Sequence, residues 1–267
     1  MQNNEFTFKE NYNIYDLVLI MAMLRSENGC PWDKEQDHKS IRNNFLEEVY
    51  EVVDAIDCDD KAALCEELGD VLLQVVFHSQ MEREAGSFDF DDVADGICKK
   101  LILRHPHIFS DVSADTTEQV LDNWEKIKMV EKNQLSYTDT LKSVPNAFPA
   151  LMRAAKVQKR AAKAGFDWPD VYEPLLKLSE ELAELSEAVT EENSEQIKEE
   201  FGDLLFSMVN VSRFLNVDAE QALGDATNKF ISRFSKVEEI AKKRGIDMKS
   251  ASLEQLDAIW DEVKHIK

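Results

Sequence analysis

Apolar positions recur along the chain at spacings of three and four, and no segment alternates apolar with polar residues for long enough to make a strand. The pattern predicts helices over residues 12–26, 39–57, 60–84, 91–104 and 117–131, and again over 149–164, 171–192, 194–215, 219–244 and 253–266. In the second of these, Phe45, Val49, Val52, Val53 and Ile56 form one apolar stripe. In the third, Leu68 and Leu72 are expected to face the bundle, and Gly69 to let a neighbouring helix approach. Thr116-x-x-Gln119 and Ser252-x-x-Gln255 fit the capping box that starts a helix. Only 8 Gly and 6 Pro punctuate 267 residues, which favours long helices over many turns. The expected fold class is all-α, built from helical bundles.

The pattern occurs twice. Residues 47–78 and 180–211 align without a gap at a constant offset of 133. "EEVYEVVDAI" matches "EELAELSEAV", and "CEELGDVLL" matches "KEEFGDLLF". Gly-x-x-Trp precedes both copies, at Gly29–Trp32 and Gly165–Trp168. Lys-x-x-x-Arg follows both, at Lys100/Arg104 and Lys229/Arg233, and so does Trp-x-x-x-Lys, at Trp124/Lys128 and Trp260/Lys264. Several features in one order, twice, imply tandem domains, expected at residues 1–135 and 149–267. The stretch 133–152 holds Pro145 and Pro149 and lacks clear periodicity, so a linker is expected over 136–148.

Composition narrows the function. The net charge is −22, and a surface that negative repels nucleic acid and anionic lipid. Neither is an expected partner. The run "LVLIMAML", residues 17–24, is too short to span a bilayer and has no basic flank like that of a signal peptide. Cys30, Cys58, Cys65 and Cys98 form no C-x-x-C pair, which argues against a zinc site and suits a reducing compartment. The expectation is a soluble, cytoplasmic protein.

The acids of the repeat carry the candidate chemistry. Glu48 and Glu51 are three apart on a flank of the apolar stripe, with Ala55 one turn further on. Glu67 and Asp70 are three apart on the next helix. Two antiparallel helices would gather these four carboxylates, and likewise Glu181, Glu184, Glu200 and Asp203 in the copy, where Ala188 matches Ala55. Four such anions repel one another unless some hold protons or a cation joins them. A hard divalent ion, Mg²⁺ with Mn²⁺ as a substitute, takes oxygen ligands and fits this set. Di-iron bundles use Glu-x-x-His pairs, and the acid helices carry none. Glu47 and Glu180 adjoin the ligand pairs and point elsewhere on their helices, where they could orient or deprotonate a water. Trp32 and Trp168 are expected as core or dimer contacts, and the basic run 153–163 as a solvated helix.

"NGCPWDKEQDH" (28–38), the two E-E-x-x-E…E-x-x-D sets and "RHPHIF" (104–109) together resemble the MazG family of nucleoside triphosphate pyrophosphohydrolases, over nearly the whole chain. The resemblance implies an all-α fold, Mg²⁺ dependence, a homodimer, and hydrolysis of a nucleoside triphosphate to monophosphate and pyrophosphate. Carried over position by position, it makes Glu181, Glu184, Glu200 and Asp203 metal ligands, matched by Glu48, Glu51, Glu67 and Asp70. It makes Lys229, Arg233, Trp260 and Lys264 phosphate- and nucleotide-contacting residues, matched by Lys100, Arg104, Trp124 and Lys128. The halves differ: the second has "GFDWPD" where the first has "GCPWDK", and it lacks the His-Pro-His segment. Two other classes fit the residues: a nucleotide-binding regulator whose acid clusters are silent, and a helical scaffold in which they are structural.

Overall fold

Two helical hairpins carry the repeated acids, and the same tight turn closes both. The structure, a computed structural model, describes residues 6–110, 116–131 and 136–265. Among these every regular element is a helix: α1 (Ile14–Leu24), α2 (Pro31–Glu35), α3 (Arg42–Asp57), α4 (Lys61–Ala85), α5 (Phe90–Arg104), α6 (Pro106–Phe109), α7 (Thr117–Glu131), α8 (Tyr137–Lys142), α9 (Ala150–Lys163), α10 (Tyr172–Thr190), α11 (Ser194–Phe214), α12 (Ala219–Lys243) and α13 (Leu253–His265). All-α was the expected class. The ten long helices match the predicted ones in place. Residues 132–135, at the end of the first expected domain, and Ile266, at the end of the last predicted helix, lie outside the described residues. No helix among the described residues is long and apolar enough to cross a membrane.

Contacts divide the chain into two compact units, Met1–Lys128 and Met129–Lys267. In the first, α3 packs on α4, and α4 also on α1 and α5. Its core is Met21, Ile41, Val76, Phe77 and Met81, with Leu17, Leu24, Leu73 and Phe90 against it. In the second, α10 packs on α11, α9 on α11, and α12 on α13 and α9. There Val237, Ala241, Ile259 and Val263 form a core with Trp260 packed on it.

The hairpin turns show how the sequence sets the site. After α3, the Asp60 amide donates to Ala55 O at 2.9 Å and Asp59 takes φ +52. After α10, the Asn193 amide donates to Ala188 O at 3.2 Å and Glu192 takes φ +56. Asp60 then caps α4 by accepting from the Ala62 and Ala63 amides, and Asn193 caps α11 through the Gln196 amide. A connection this short returns the chain antiparallel. The expected Ser252/Gln255 capping box forms in both directions, each bond at 3.3 Å, and at the other expected box Thr116 Oγ1 accepts from the Gln119 amide at 3.3 Å.

Three short helices escape the periodicity. α2, α6 and α8 have 5, 4 and 6 residues, too few to display a period of 3.6. Proline at the first position starts α2 and α6, and a Ser136/Asp139 capping box starts α8 inside the expected linker.

The faces of the acid helices are the main correction. Val49, Val53 and Ile56 of the predicted stripe are exposed, at 41%, 45% and 56%. Leu68 and Leu72 turn outward rather than into the bundle. Nothing lies within 4 Å of a side chain built at Gly69 or Gly202, so no helix approaches there. Trp32 and Trp168 are exposed rather than core. The inward line of each hairpin instead runs through the acids and ends on Ala55 and Ala188, which are 5% and 0% exposed. The acidic half of α4 lies before Leu73, whereas its buried residues, Gln74, Val76, Phe77, Ser79 and Met81, all follow it.

Ala188→Leu is expected to lower unfolding free energy by about 1–3 kcal/mol in urea titration, because no space adjoins a fully buried methyl. A neutral result would mean the α10–α11 seam has slack beneath the acids.

Candidate active site

Each hairpin brings its acids together. One carboxylate oxygen each from Glu48, Glu67 and Asp70 lie within 4.8 Å of one another, and so do those of Glu181, Glu184 and Glu200. Glu51 lies outside that close triad, but its charge still acts on Glu48 and Glu67. Asp203 stands on α11 one turn beyond Glu200, exposed and outside the close triad. Burial, with Asp70 and Glu51 nearby, pushes the Glu48 carboxyl up. Burial and Glu51 do the same to Glu67, and burial and Glu200 to Glu184. All donors are carboxylate oxygens with no histidine or thiol among them, so the clusters could hold a hard divalent ion.

The clusters differ in one cation. Lys177 Nζ lies 2.8 Å from Glu181, which is buried, and 2.9 Å from Glu180, which is exposed. Those hydrogen bonds hold Lys177 charged well above its ordinary range. At the matching place, 133 residues earlier, the first unit has Asn44. Sequence reasoning missed Lys177. Its signal was the spacing of four before Glu181, the distance at which helical side chains meet. Glu47 is exposed beside Glu48, with no lysine on it among the described residues.

The remaining candidates stand on other helices. Lys229 is exposed and Arg233 half-buried on α12, and neither makes a hydrogen bond or ion pair among the described residues. Trp260 on α13 is partly buried, with the Phe230 ring centroid 5.2 Å away. Lys264 pairs with Asp261 at 2.9 Å. In the first unit Lys100 is exposed, while Arg104 is buried and lies 5.0 Å over the Trp124 ring. Lys128 lies 4.8 Å over the same ring. These three are packed on each other, whereas Lys229 and Arg233 are open.

The tandem all-α units thus each carry, in one helical hairpin, a carboxylate cluster that could hold a hard cation. The MazG nucleotide pyrophosphohydrolase domain model matches residues 36–109 and again 172–238. The chain belongs to this family. It is 46% identical over 252 residues to the nucleoside triphosphate pyrophosphohydrolase/pyrophosphatase MazG of Thermotoga maritima, covering 93% of this chain and 94% of that one. It is 47% identical over 251 residues to the nucleoside triphosphate pyrophosphohydrolase of Escherichia coli K12, covering 93% and 95%. The nucleoside triphosphate pyrophosphohydrolase of Mycobacterium tuberculosis is 42% identical over 154 residues, 57% of this chain and 46% of that one.

The raised carboxyls set a pH dependence. Their folded state binds protons more tightly than the unfolded chain does. This contribution is fully present below the ordinary carboxyl pKa and is lost as pH rises through the raised one. Metal-free protein should therefore lose Tm as pH climbs above about 4.5, the ordinary glutamate value, and added MgCl₂ should restore it. Glu67→Gln should flatten the slope, which repulsion spread over the whole −22 charge would not do.

Proposed function

We propose that this chain hydrolyses nucleoside triphosphates to nucleoside monophosphate and pyrophosphate at the acid cluster of the second unit. The observation that carries the proposal is the convergence of Glu181, Glu184 and Glu200, with Lys177 on its edge, in a chain of the MazG family. Its relatives in Thermotoga and Escherichia are named for this reaction.

Glu181, Glu184, Glu200 and Asp203 would hold Mg²⁺, or Mn²⁺ in its place. Such an ion neutralises triphosphate charge and polarises the phosphorus under attack. The chain's own groups do the rest. Lys177 holds Glu180 in place at 2.9 Å, from where Glu180 can take a proton from the attacking water. The water oxygen bonds to the α-phosphorus as the α–β bridging P–O bond breaks. The electron pair leaves with pyrophosphate and the water's proton goes to Glu180. Lys229 and Arg233, four apart on α12 and unpaired among the described residues, grip the β and γ phosphates, with the guanidinium able to bind in bidentate fashion. Trp260 and Lys264 contact the nucleotide from α13.

The first unit is the weaker catalyst on this account. Asn44 replaces the lysine, and Arg104, Lys128 and Trp124 are stacked on each other. A homodimer covers the outward apolar faces: Leu68 and Leu72 of α4, and Leu182, Phe201 and Leu205 of the α10–α11 hairpin, are all exposed. The enzyme acts in the cytoplasm, where triphosphates are held and thiols stay reduced.

Pyrophosphate release, read as phosphate after inorganic pyrophosphatase, tests the proposal. Glu181→Ala with Glu184→Ala should lower kcat/KM by about 10²–10³-fold. Glu48→Ala with Glu51→Ala should cost less than about tenfold, well below what a lost charge-stabilising group costs. Absence of phosphate from the wild-type chain with any triphosphate would sink the enzyme reading. If triphosphate with Mg²⁺ still raised the Tm, the nucleotide-binding regulator would remain. Glu180→Gln should lower kcat by about 10²–10⁴-fold with KM unchanged.

A further inference from the structure

The α3–α4 hairpin of the first unit is closed at both ends, and the two closures differ in chemistry. At one end the Asp60 amide bonds Ala55 O in the turn. At the other, where the chain enters α3, His38 reaches across to α4. Its Nδ1 lies 2.7 Å from Nδ1 of His78, and its Nε2 lies 2.7 Å from Oε1 of Glu82. The two imidazole rings are nearly parallel, 6° apart with centroids 5.0 Å from each other. His78 and Glu82 are four apart on α4, so they share a face of that helix. None of the three belongs to the acid cluster. Asp70, the last of its residues along α4, is eight before His78, or about 12 Å along the axis.

The loop that carries His38 is held on both sides. Asp37 Oδ1 accepts from the Lys39 and Ser40 amides at 2.8 Å each, and Ser40 Oγ accepts from the Asp37 amide at 2.9 Å. Ile41 then enters the core, 2% exposed. His38 itself is exposed and His78 half-buried, so protons reach the pair through His38.

The two bonds fix how many protons the pair can carry. A carboxylate only accepts, so the proton between His38 and Glu82 sits on His38 Nε2. The Nδ1–Nδ1 bond needs one proton between its two nitrogens. With both rings neutral, His78 Nδ1 donates to His38 Nδ1. One added proton leaves the bond in place, because either ring can be the cation that donates to the other. A second added proton puts hydrogen on both Nδ1 atoms. The bond is then lost, and two cations stand side by side where one bond had joined them.

Few charges compete with this arrangement. Glu82 faces the pair from α4, and Asp37 and Lys39 flank His38 in the loop. From α3 the Phe45 ring lies against His78, centroids 5.8 Å apart, while Arg42 turns its Nη1 to Asn43 Oδ1 at 3.2 Å. α1 brings Arg25, bound to Glu84, and Asp16, bound to Lys9. α5 brings Asp89 and Asp92, engaged in its capping box, Asp95, paired with Lys99, and Arg104, over Trp124. Along α11, at the offset of 133, Val211 and Leu215 stand in place of His78 and Glu82. The second hairpin has no titratable group at these two positions.

We propose that His38, His78 and Glu82 form a proton-operated clamp on the entry end of the α3–α4 hairpin, closed while the two rings hold at most one added proton and opened by the second. Opening frees the loop before α3 from α4, so the first unit responds to acid and the second does not. The clamp stands on these three residues alone and is independent of which cluster turns over substrate. Burial and the neighbouring His38 push the His78 imidazole down. The folded state therefore binds fewer protons than the unfolded chain, and the clamp's contribution is lost as pH falls below about 6.5, the ordinary histidine value.

Hydrogen exchange read by mass spectrometry on the full chain tests the clamp, with rates corrected for intrinsic exchange. The reporters are the Ile41 amide, which bonds Asp37 O, and the Phe45 amide, which bonds Ile41 O. Between about pH 8 and about pH 5.5, across the histidine range, their protection is expected to fall about tenfold in the wild-type chain, the scale of one hydrogen bond. His78→Val, which installs the second unit's residue, should remove the fall, and so should His38→Gln. His38 is exposed, so His38→Gln keeps the fold and carries the test if His78→Val unfolds. Imidazole ¹⁵N spectra should show His78 protonated on Nδ1 at about pH 8, and His38→Gln should raise the His78 titration midpoint. Wild-type protection equal at the two pH values overturns the clamp. A fall of the same size in His38→Gln also overturns it, since the acid cluster or the net charge would then be the cause. So does a His78 midpoint that ignores His38→Gln.

Discussion

Crowded carboxylates between two antiparallel helices are the constraint on which the rest depends. Three acid oxygens within 4.8 Å of each other, in each hairpin, are unfavourable by themselves. The chain accommodates them in three ways. It keeps them at the turn end of the hairpin, apart from the apolar core that begins near Leu73. It seats them above Ala55 and Ala188, which fill little space and let the helices close. In the second unit it adds Lys177, whose charge offsets part of the repulsion. The clusters could hold a divalent ion, whose charge would complete the compensation.

The same constraint explains the exposed leucines. A helix that turns its acids to its hairpin partner must send its other apolar residues elsewhere. On α3, α4, α10 and α11 they go outward, as Ile56, Leu68, Leu182 and Phe201. Such faces are expensive in water, at roughly 25 cal/mol per Å² of apolar surface. They give each unit a reason to associate that is independent of substrate.

Duplication followed by divergence is visible residue by residue. The turns of both hairpins kept a left-handed non-glycine residue, Asp59 and Glu192, so the scaffold was retained. The surroundings were not. At the offset of 133, Asn44 stands against Lys177 and Phe77 against Asn210, and both changes give the second unit a polar group that the first lacks or replaces by packing. One unit spends its cations on Trp124 and Glu84, and the other leaves Lys229 and Arg233 unpaired among the described residues.

By itself the sequence determined the all-α class, the ten long helices and the doubling, because periods of three and four state which side chains share a helix face; of each expected acid quartet the structure gathers three, with Glu51 and Asp203 outside. It did not determine which face is buried: Leu68 and Glu67 are neighbours in sequence, and only the pairing of α3 with α4 decides that Glu67 turns in. Helices of four to six residues also escaped it, since a single turn has no period to read. The Lys177 contact lay within reach through its spacing of four from Glu181, but its importance depended on Glu181 being buried. The pocket beside Asn210 was beyond sequence altogether. It is a gap of about 300 Å³ lined by Gln158 of α9 and by Phe206 and Asn210 of α11, and a gap is a property of packing.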